Sequence, residues 1–528
     1  MLAEENEYAG ANEPPAAHLD HSDVRMASSG VRGDIHEYKE DEGYDVDVED
    51  AAVGDRTVKL AKDGHTRLIP QPSSDAHDPL NWPWRKKRTI LFIVAFSALL
   101  PDYGSATGAV TLLPQSKEWN MTEDEVNHSQ VGNVFMLGAG GIFTVILSAY
   151  FGRLPVMFYF LVVALATAIW CAAATTFDSF MAARILNGFF STVSQGGGLM
   201  FTQDLFFHER ARKINLWASF FVISPYLGPL LAAFMAAAKP RPVPFWVYVA
   251  ETGLALVLTV LFVKETFYDR RVPETEQPPR GTRVGRLLGI AQYGTRHARN
   301  SFAEACMRSV KVVIKPTVAI SCIYYLLTFA WVVGINTTLS IFLGPVYGFG
   351  LKQTGFFYFT PVTAVILGEL AGHFLHDILA KQYIRTHKGH FEPEVRLRAI
   401  IVALPFMLVG LVLLEQSLQN QWHYMVASIA WGLYVFGVMI TTVAISSYNL
   451  DSYPEASGEV SAWVNMARTL GGFIINYFQV RWAHARGTKE SFGVQAAICG
   501  GAFLLILLLM WKGESMRIWA GPLHFVTA

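Results

Sequence analysis

The sequence predicts an all-α membrane protein with twelve transmembrane helices in two pseudo-symmetric six-helix bundles. Three observations predict it. Of 528 residues, 52% are hydrophobic and 16% charged, with mean hydropathy +0.30, whereas soluble domains carry roughly 25% charged residues. Apolar runs of about 20 residues, long enough to cross a bilayer core as a helix, recur twelve times. The polar stretch 265–315, with Pro273, Pro278, Pro279 and many arginines, divides those runs six and six.

The elements follow in order. Residues 1–80 are rich in Asp and Glu and poor in apolar periodicity. Such a segment buries too little surface to fold, so a disordered acidic cytoplasmic tail is predicted, with no secretory signal before it. Spans are predicted near 89–113, 129–151, 155–175, 180–203, 214–237 and 244–264, which form a first bundle over 81–265. A linker over 266–315 follows, whose stretch from Arg283 to Lys315 suits a basic amphipathic helix on the membrane surface. Spans near 316–343, 354–376, 398–416, 422–446, 459–482 and 492–512 form a second bundle over 316–512. Residues 513–528 make a short cytoplasmic tail.

Basic residues set the orientation. Arg85 to Arg88, Arg153, Arg210, Arg212, Lys213, the linker arginines, Lys381, Arg385 and Arg396 fall on one side. The alternate loops carry few, so both termini are predicted cytoplasmic. The segment 449–458 has acids and no base, but acids weigh little in this rule. Asn120-Met121-Thr122 and Asn127-His128-Ser129 then lie outside, as two candidate glycosylation sequons. Net charge is −1, so no bulk attraction to nucleic acid is indicated. Cys171, Cys306, Cys322 and Cys499 are scattered without a metal-binding spacing, so no cofactor, metal site or disulfide framework is expected.

The stretch Ala183 to Trp217 organises the rest. Arg184 stands inside an apolar run, where an arginine costs roughly 2.5–3.5 kcal/mol on insertion scales and persists only facing a polar interior. Gly188, Gly196, Gly197 and Gly198 follow and permit close helix approach, before the charged loop His208 to Lys213. Asp102, about 20 Å into the first span at ~1.5 Å per residue, lies at a depth that matches Arg184. The two are expected to pair, either as a coupling site that a cation or proton displaces, or as a static lock between helices. Glu369 and His373 share a face of the eighth span at i and i+4 and can take protons, or can be a satisfied polar pair beside Asp377. Arg468 lies mid-span in the eleventh, one turn after Asn465. Asn187 and the aromatics Tyr324, Trp331, Trp431 and Tyr434 are candidates for a substrate cavity, though packing is the alternative for each ring. Arg153, lacking a local acid, is expected to reach Asp451, Glu455 or Glu459 of the other half as an inner gate. Pro114, Pro225, Pro229, Pro345 and Pro361 are positioned to bend spans.

Several motifs carry a family resemblance in their order along the chain. These are Asp78-Pro79-Leu80-Asn81-Trp82-Pro83, Phe151-Gly152-Arg153-Leu154-Pro155-Val156, Arg184 with Gly188, His208-Glu209-Arg210-Ala211-Arg212-Lys213, Gly228-Pro229, and Glu265-Thr266-Phe267-Tyr268-Asp269-Arg270. With them the chain resembles the major facilitator superfamily, in its fungal twelve-span drug:proton antiporter type, a group that includes polyamine and cation transporters and metabolite exporters. The resemblance implies the major facilitator fold, with Gly188, Gly228 and Pro229 in helix packing. Two departures stand out. Ala149 occupies the usual acid's place in the loop after span two, with Leu154 in place of its second base. The fifth-span signature lacks its paired glycines, since Leu230 to Ala233 follow.

The functional expectation is a secondary transporter that moves a small organic molecule by alternating access, coupled to protons, working as a monomer in the plasma membrane. Efflux of a drug-like compound or secondary metabolite is the leading reading and uptake of a polyamine or other cation the second. No Gly-x-x-x-x-Gly-Lys-Ser/Thr loop offers a nucleotide-driven route. A membrane enzyme or a non-transporting sensor are the readings from other classes. The first lacks the His and Cys ligand sets it would need.

Overall fold

The computed structural model describes residues 73, 75–206, 210–240, 242–268, 277, 281–294, 301–387, 392–521 and 523. The acidic tail predicted over 1–80 therefore lies almost wholly outside the described residues, as does His208-Glu209. Among the described residues there is no strand.

The first half holds α1 (Trp84–Trp119), α2 (Glu123–Phe151), α3 (Arg153–Ala173), α4 (Phe177–Ser191), α5 (Val193–Leu205), α6 (Arg210–Ala238) and α7 (Pro242–Phe262). Between the halves lie α8 (Arg283–Leu287), α9 (Ile290–Gly294) and α10 (Phe302–Val313). The second half holds α11 (Pro316–Tyr347), α12 (Leu351–Phe357), α13 (Phe359–Thr386), α14 (Arg398–Gln419), α15 (Tyr424–Ser452) and α16 (Ser457–Ala520). By length and composition, ten helices among the described residues can cross a membrane.

The difference from twelve falls on two of the expected spans. The fourth is broken into α4 and α5 at Thr192, and neither piece alone is long enough. The eleventh is not among the ten; it forms one run of 64 residues with the twelfth, whose stretch Glu490–Ala520 is. A straight helix of that length reaches ~96 Å, against a hydrocarbon core of ~30 Å. Yet Glu459 at its start pairs with Arg308 (2.9 Å), and the Gly521 carbonyl just past its end accepts from Lys315 (2.8 Å). Both ends therefore meet the same stretch of chain, and α16 doubles back near Arg481. The linker also differs from expectation. Among its described residues it forms three short helices, and α10 carries the amphipathic character.

A long seam between α2 and α16 helps to hold the halves together. The first limb of α16 runs antiparallel to α2 from one end of the bundle to the other. At the end away from the linker, Arg481 pairs with Asp124 (2.7 Å). Then His128 stacks on Tyr477 (5.7 Å), Asn127 donates to the Asn476 carbonyl (3.1 Å), and Phe135 meets Phe473 (5.1 Å). At the linker end Val145, Met200 and Ala462 form a small apolar plug.

The prolines in α6 contribute to that junction. Pro229 lacks an N–H, which frees the Pro225 carbonyl one turn earlier. Asn336 of α11 donates to that carbonyl (2.8 Å), tying α6 to the second half. Pro225 likewise frees the Phe221 carbonyl, and the Ser224 hydroxyl takes it (2.7 Å). Gly228 lies between the two prolines, where a Cβ would stand 2.5 Å from the Tyr103 carbonyl of α1. Gly188 presses equally close to the Asn133 carbonyl of α2. Each permits a helix crossing that no larger residue allows.

Gly228→Val is therefore expected to cost about 1–3 kcal/mol by overpacking, read as a lower melting temperature of the purified protein in detergent. Gly501→Ala, at a position with no atom within 4 Å, should leave the melting temperature unchanged.

Candidate functional site

The centre of the molecule is a charge pair between the halves. Arg468 of α16 places a guanidinium nitrogen 2.9 Å from the Asp102 carboxylate of α1, with side chains only 5% and 9% exposed. Gln195 of α5 donates to the same carboxylate oxygen (2.9 Å) and to the Ala98 carbonyl (3.0 Å). The Asn465 amide oxygen, one turn before Arg468, accepts from it at 2.8 Å. The rings of Phe221 and Phe329 lie 5.8 and 5.3 Å from the guanidinium, within range of cation–π attraction. Two charges taken from water into such a place need this density of partners to persist.

Arg184 does not pair with Asp102, contrary to the sequence expectation. It donates to the Ser105 carbonyl (2.6 Å) and to the Gln130 amide oxygen, and rests where a Cβ on Gly108 would collide with its guanidinium. Gly108 is six residues beyond Asp102, about 9 Å along the helix, so the depths that seemed to match diverge by more than a turn. Arg184 is thus held by neutral acceptors inside the first half.

Beside the Asp102–Arg468 pair lies a cavity of about 800 Å³, mouth included. It is lined from both halves by Gln195, Trp217, Phe221, Tyr325, Glu369, Thr442, Asn465 and Arg468, among others. Its walls continue through Leu450 and Val460 toward the linker end. The space closed off inside it is about 70 Å³, and its walls are apolar with a few convergent polar groups, the make-up of ligand pockets. Tyr325 hydroxyl sits 3.0 Å from Thr442, so Tyr325 is the tyrosine of this pair that lines the pocket.

The other predicted residues go elsewhere. Tyr324 and Tyr434 are fully buried in the second-half core, the latter donating to the Thr328 carbonyl (2.7 Å). Trp431 is enclosed by Phe357, Tyr358 and Tyr226, and Trp331 is buried against the same core. Asn187 donates to the Ala164 carbonyl of α3 and accepts from Tyr248 of α7 (2.9 and 3.0 Å), facing away from the cavity. Of the six cavity candidates, Asn465 alone is among its lining residues. Mid-span depth places an aromatic correctly along the membrane normal but leaves its direction around the helix open. His373, one turn from Glu369 on α13, is not among the lining residues either, and the side chain of Asp377 lies outside the described ones.

The inner gate is also arranged differently. Arg153 pairs with Asp204 at the end of α5 (3.2 Å), so the acid missing at position 149 is supplied from its own half. Asp451 is taken by Arg396 (3.0 Å) and Glu459 by Arg308, and Glu455 is half-buried at the same end. Glu265, after α7, accepts from the backbone N–H groups of Arg153 and Leu154 (3.0 and 3.1 Å) and from Gln292 of α9 (3.1 Å). A carboxylate at that helix start meets unpaired N–H groups and the positive end of the dipole.

The two sequons separate. Asn120 caps α1 in the left-handed conformation (φ 52°) and is exposed. Asn127 lies within α2 and is 1% exposed, its amide nitrogen bonded across the seam. A glycan needs that nitrogen, so the expectation for Asn127 does not hold.

Two helical halves around a cavity with ionisable walls define a carrier-type membrane transporter. The family model described as "Major Facilitator Superfamily" matches residues 91–476, and the chain belongs to that superfamily. It is a secondary transporter of small molecules and not an enzyme. The chain is 24% identical over 433 residues to the "MFS-type transporter penM" of Penicillium rubens, covering 79% of this chain and 84% of that one. It is 22% identical over 458 residues to the "Efflux pump radE" of Floropilus chiversii, covering 84% and 83%. Among solved structures, the xylose transporter XylE from E. coli superposes with a TM-score of 0.55 at 16% identity, over 81% of this chain and 99% of that one. The last likeness shows the fold.

Arg468→Ala leaves Asp102 as an unpaired buried charge, at a cost of about 3–5 kcal/mol. The double variant Asp102→Asn with Arg468→Gln should melt higher than Arg468→Ala in the same detergent, the mark of a coupled pair. Expressed in a glycosylating host, Asn127→Gln should leave gel mobility identical to wild type.

Proposed function

We propose that the protein exports a drug-like compound or secondary metabolite in exchange for protons, by alternating access of the central cavity. The observation that carries this reading is the Asp102–Arg468 pair, which joins the two halves at the cavity wall. A proton on Asp102, or a substrate group competing for Arg468, removes the attraction across the interface. The halves then rock, and the site is presented to the other face. Glu369 supplies a carboxylate inside the cavity, and the largely apolar remainder suits an amphiphile. The relatives named as an efflux pump and as MFS-type transporters support export.

A second reading rests on Glu369. A lone carboxylate in a cavity with aromatic walls also suits an organic cation, so uptake of a polyamine is the competing assignment. In either case the protein acts as a monomer in the plasma membrane. The loop arginines support cytoplasmic termini, which makes the linker end the inner face and puts Asn120 outside as the glycan acceptor.

The test is transport in proteoliposomes under an imposed pH gradient, with a lipophilic dye and spermidine as alternative probes. Wild type should move one of them faster with the gradient than without it. Asp102→Asn should fold, bind the same probe and lose the gradient's acceleration altogether. Retained acceleration removes Asp102 from coupling. Glu369→Gln should impair spermidine far more than a neutral probe if the second reading holds.

A further inference from the structure

Between the Asp102–Arg468 pair and the end away from the linker, the halves meet on side-chain amides. Gln115 of α1 is 1% exposed, Asn127 of α2 1%, Asn336 of α11 5%, Asn476 of α16 1% and Gln479 of α16 0%. Two come from the first half and three from the second. Asn127 reaches the Asn476 carbonyl and Asn336 the Pro225 carbonyl, so both bonds cross the interface. Gln115 follows Leu112 by three residues, on one helix face, and Leu112 packs with Val126 and Ile341 across the same interface. Gln479 lies against Gly334 of α11.

These amides are poorly satisfied. Among the described residues, Nε2 of Gln115, Oδ1 of Asn127, Oδ1 of Asn336 and both side-chain heteroatoms of Asn476 and Gln479 have no hydrogen-bond partner. Buried polar groups in proteins are nearly always paired, and leaving one unpaired costs free energy that an apolar residue of the same shape avoids. Four such side chains at one interface, with Gln479 beside them against α11 of its own half, are costly for a permanent core and useful for a surface that periodically meets water. The chemistry is distinct from the cavity as well, where Glu369 and Arg468 bring charge.

We propose that Gln115, Asn127, Asn336, Asn476 and Gln479 form the wall of the far passage, the half of the transport route that is closed in this conformation. When the halves part there, the five amides are hydrated and offer uncharged donors and acceptors to passing carbonyl, hydroxyl or amide groups. In the closed form their unmet bonds raise its free energy and bias the interface toward opening. The assignment rests on the alternating-access reading, but its test does not depend on which substrate is carried or on proton coupling.

The test is cysteine accessibility. Ile341→Cys, in full-length protein whose four native cysteines are replaced by Ala, reports on opening when a membrane-impermeant maleimide is added in proteoliposomes. Asn476→Leu with Gln479→Leu removes four unmet groups at near-constant volume. Labelling should then slow at least about tenfold, with a higher melting temperature. Gln479→Asn with Asn476→Gln, which keeps the amides, should label at near the wild-type rate. Unchanged labelling in the Leu variant overturns the proposal by showing that ordered water already satisfies these groups. A lower melting temperature in the Leu variant overturns it too, because the amides then stabilise the closed form. Failure of gradient-driven transport with normal labelling would instead strike the proton-coupled reading and leave this one standing.

Discussion

The structure depends on one constraint, a carboxylate and a guanidinium buried together between two halves that must separate. Asp102 and Arg468 come from opposite halves, so neither half satisfies its own charge. Inside a permanently closed core such a pair contributes little net stability compared with apolar residues of similar volume. Its value lies in conditionality. Anything that neutralises one member turns an attraction across the interface into an unpaired charge. Gln195 and Asn465 steady the pair without replacing it, since an amide has no charge to offer.

The same logic explains how the remaining polar groups are distributed. Several that lock one half internally are paired with neutral or fixed partners. Arg184 sits on backbone and amide oxygens, Asn187 joins three helices, and Glu265 closes the start of α3. Those that face the partner half meet it through single contacts, through freed proline carbonyls, or with atoms left over. Rigid halves with a yielding junction are what rocking motion requires.

Much of this was legible in the sequence. Apolar run length fixed nearly every span, because the bilayer sets one length for all of them. The motif order gave the superfamily, and the buried ionisable residues Asp102, Arg468 and Glu369 do reach the central site. What was not legible was direction around each helix. A shift of two residues rotates a side chain by more than half a turn, and hydropathy is nearly uniform around these spans. So Tyr325 lines the cavity while the adjacent Tyr324 is turned into the core; Arg184 and Asp102 miss each other by more than a turn of depth as well. Partners distant in sequence, such as Asp204 for Arg153, had no local signal. The break at Thr192 leaves no mark in composition, whereas the charged stretch from Arg481 to Glu490 marks the reversal within α16.

The short helix α10 has a consequence for how the chain is divided. Tyr150 of α2 touches its Phe302 (5.8 Å), whereas Glu459 and Trp463 of α16 hold Arg308 and Ser309 by an ion pair and a hydrogen bond (2.9 Å each). Lys315, two residues past α10, clasps the last carbonyls of α16. The end of the linker is thus annexed by the C-terminal half as its own structural margin. A chain severed just before Ser301 would keep the ties to Glu459, Trp463 and the end of α16 within its second piece, while the Tyr150–Phe302 contact would span the cut.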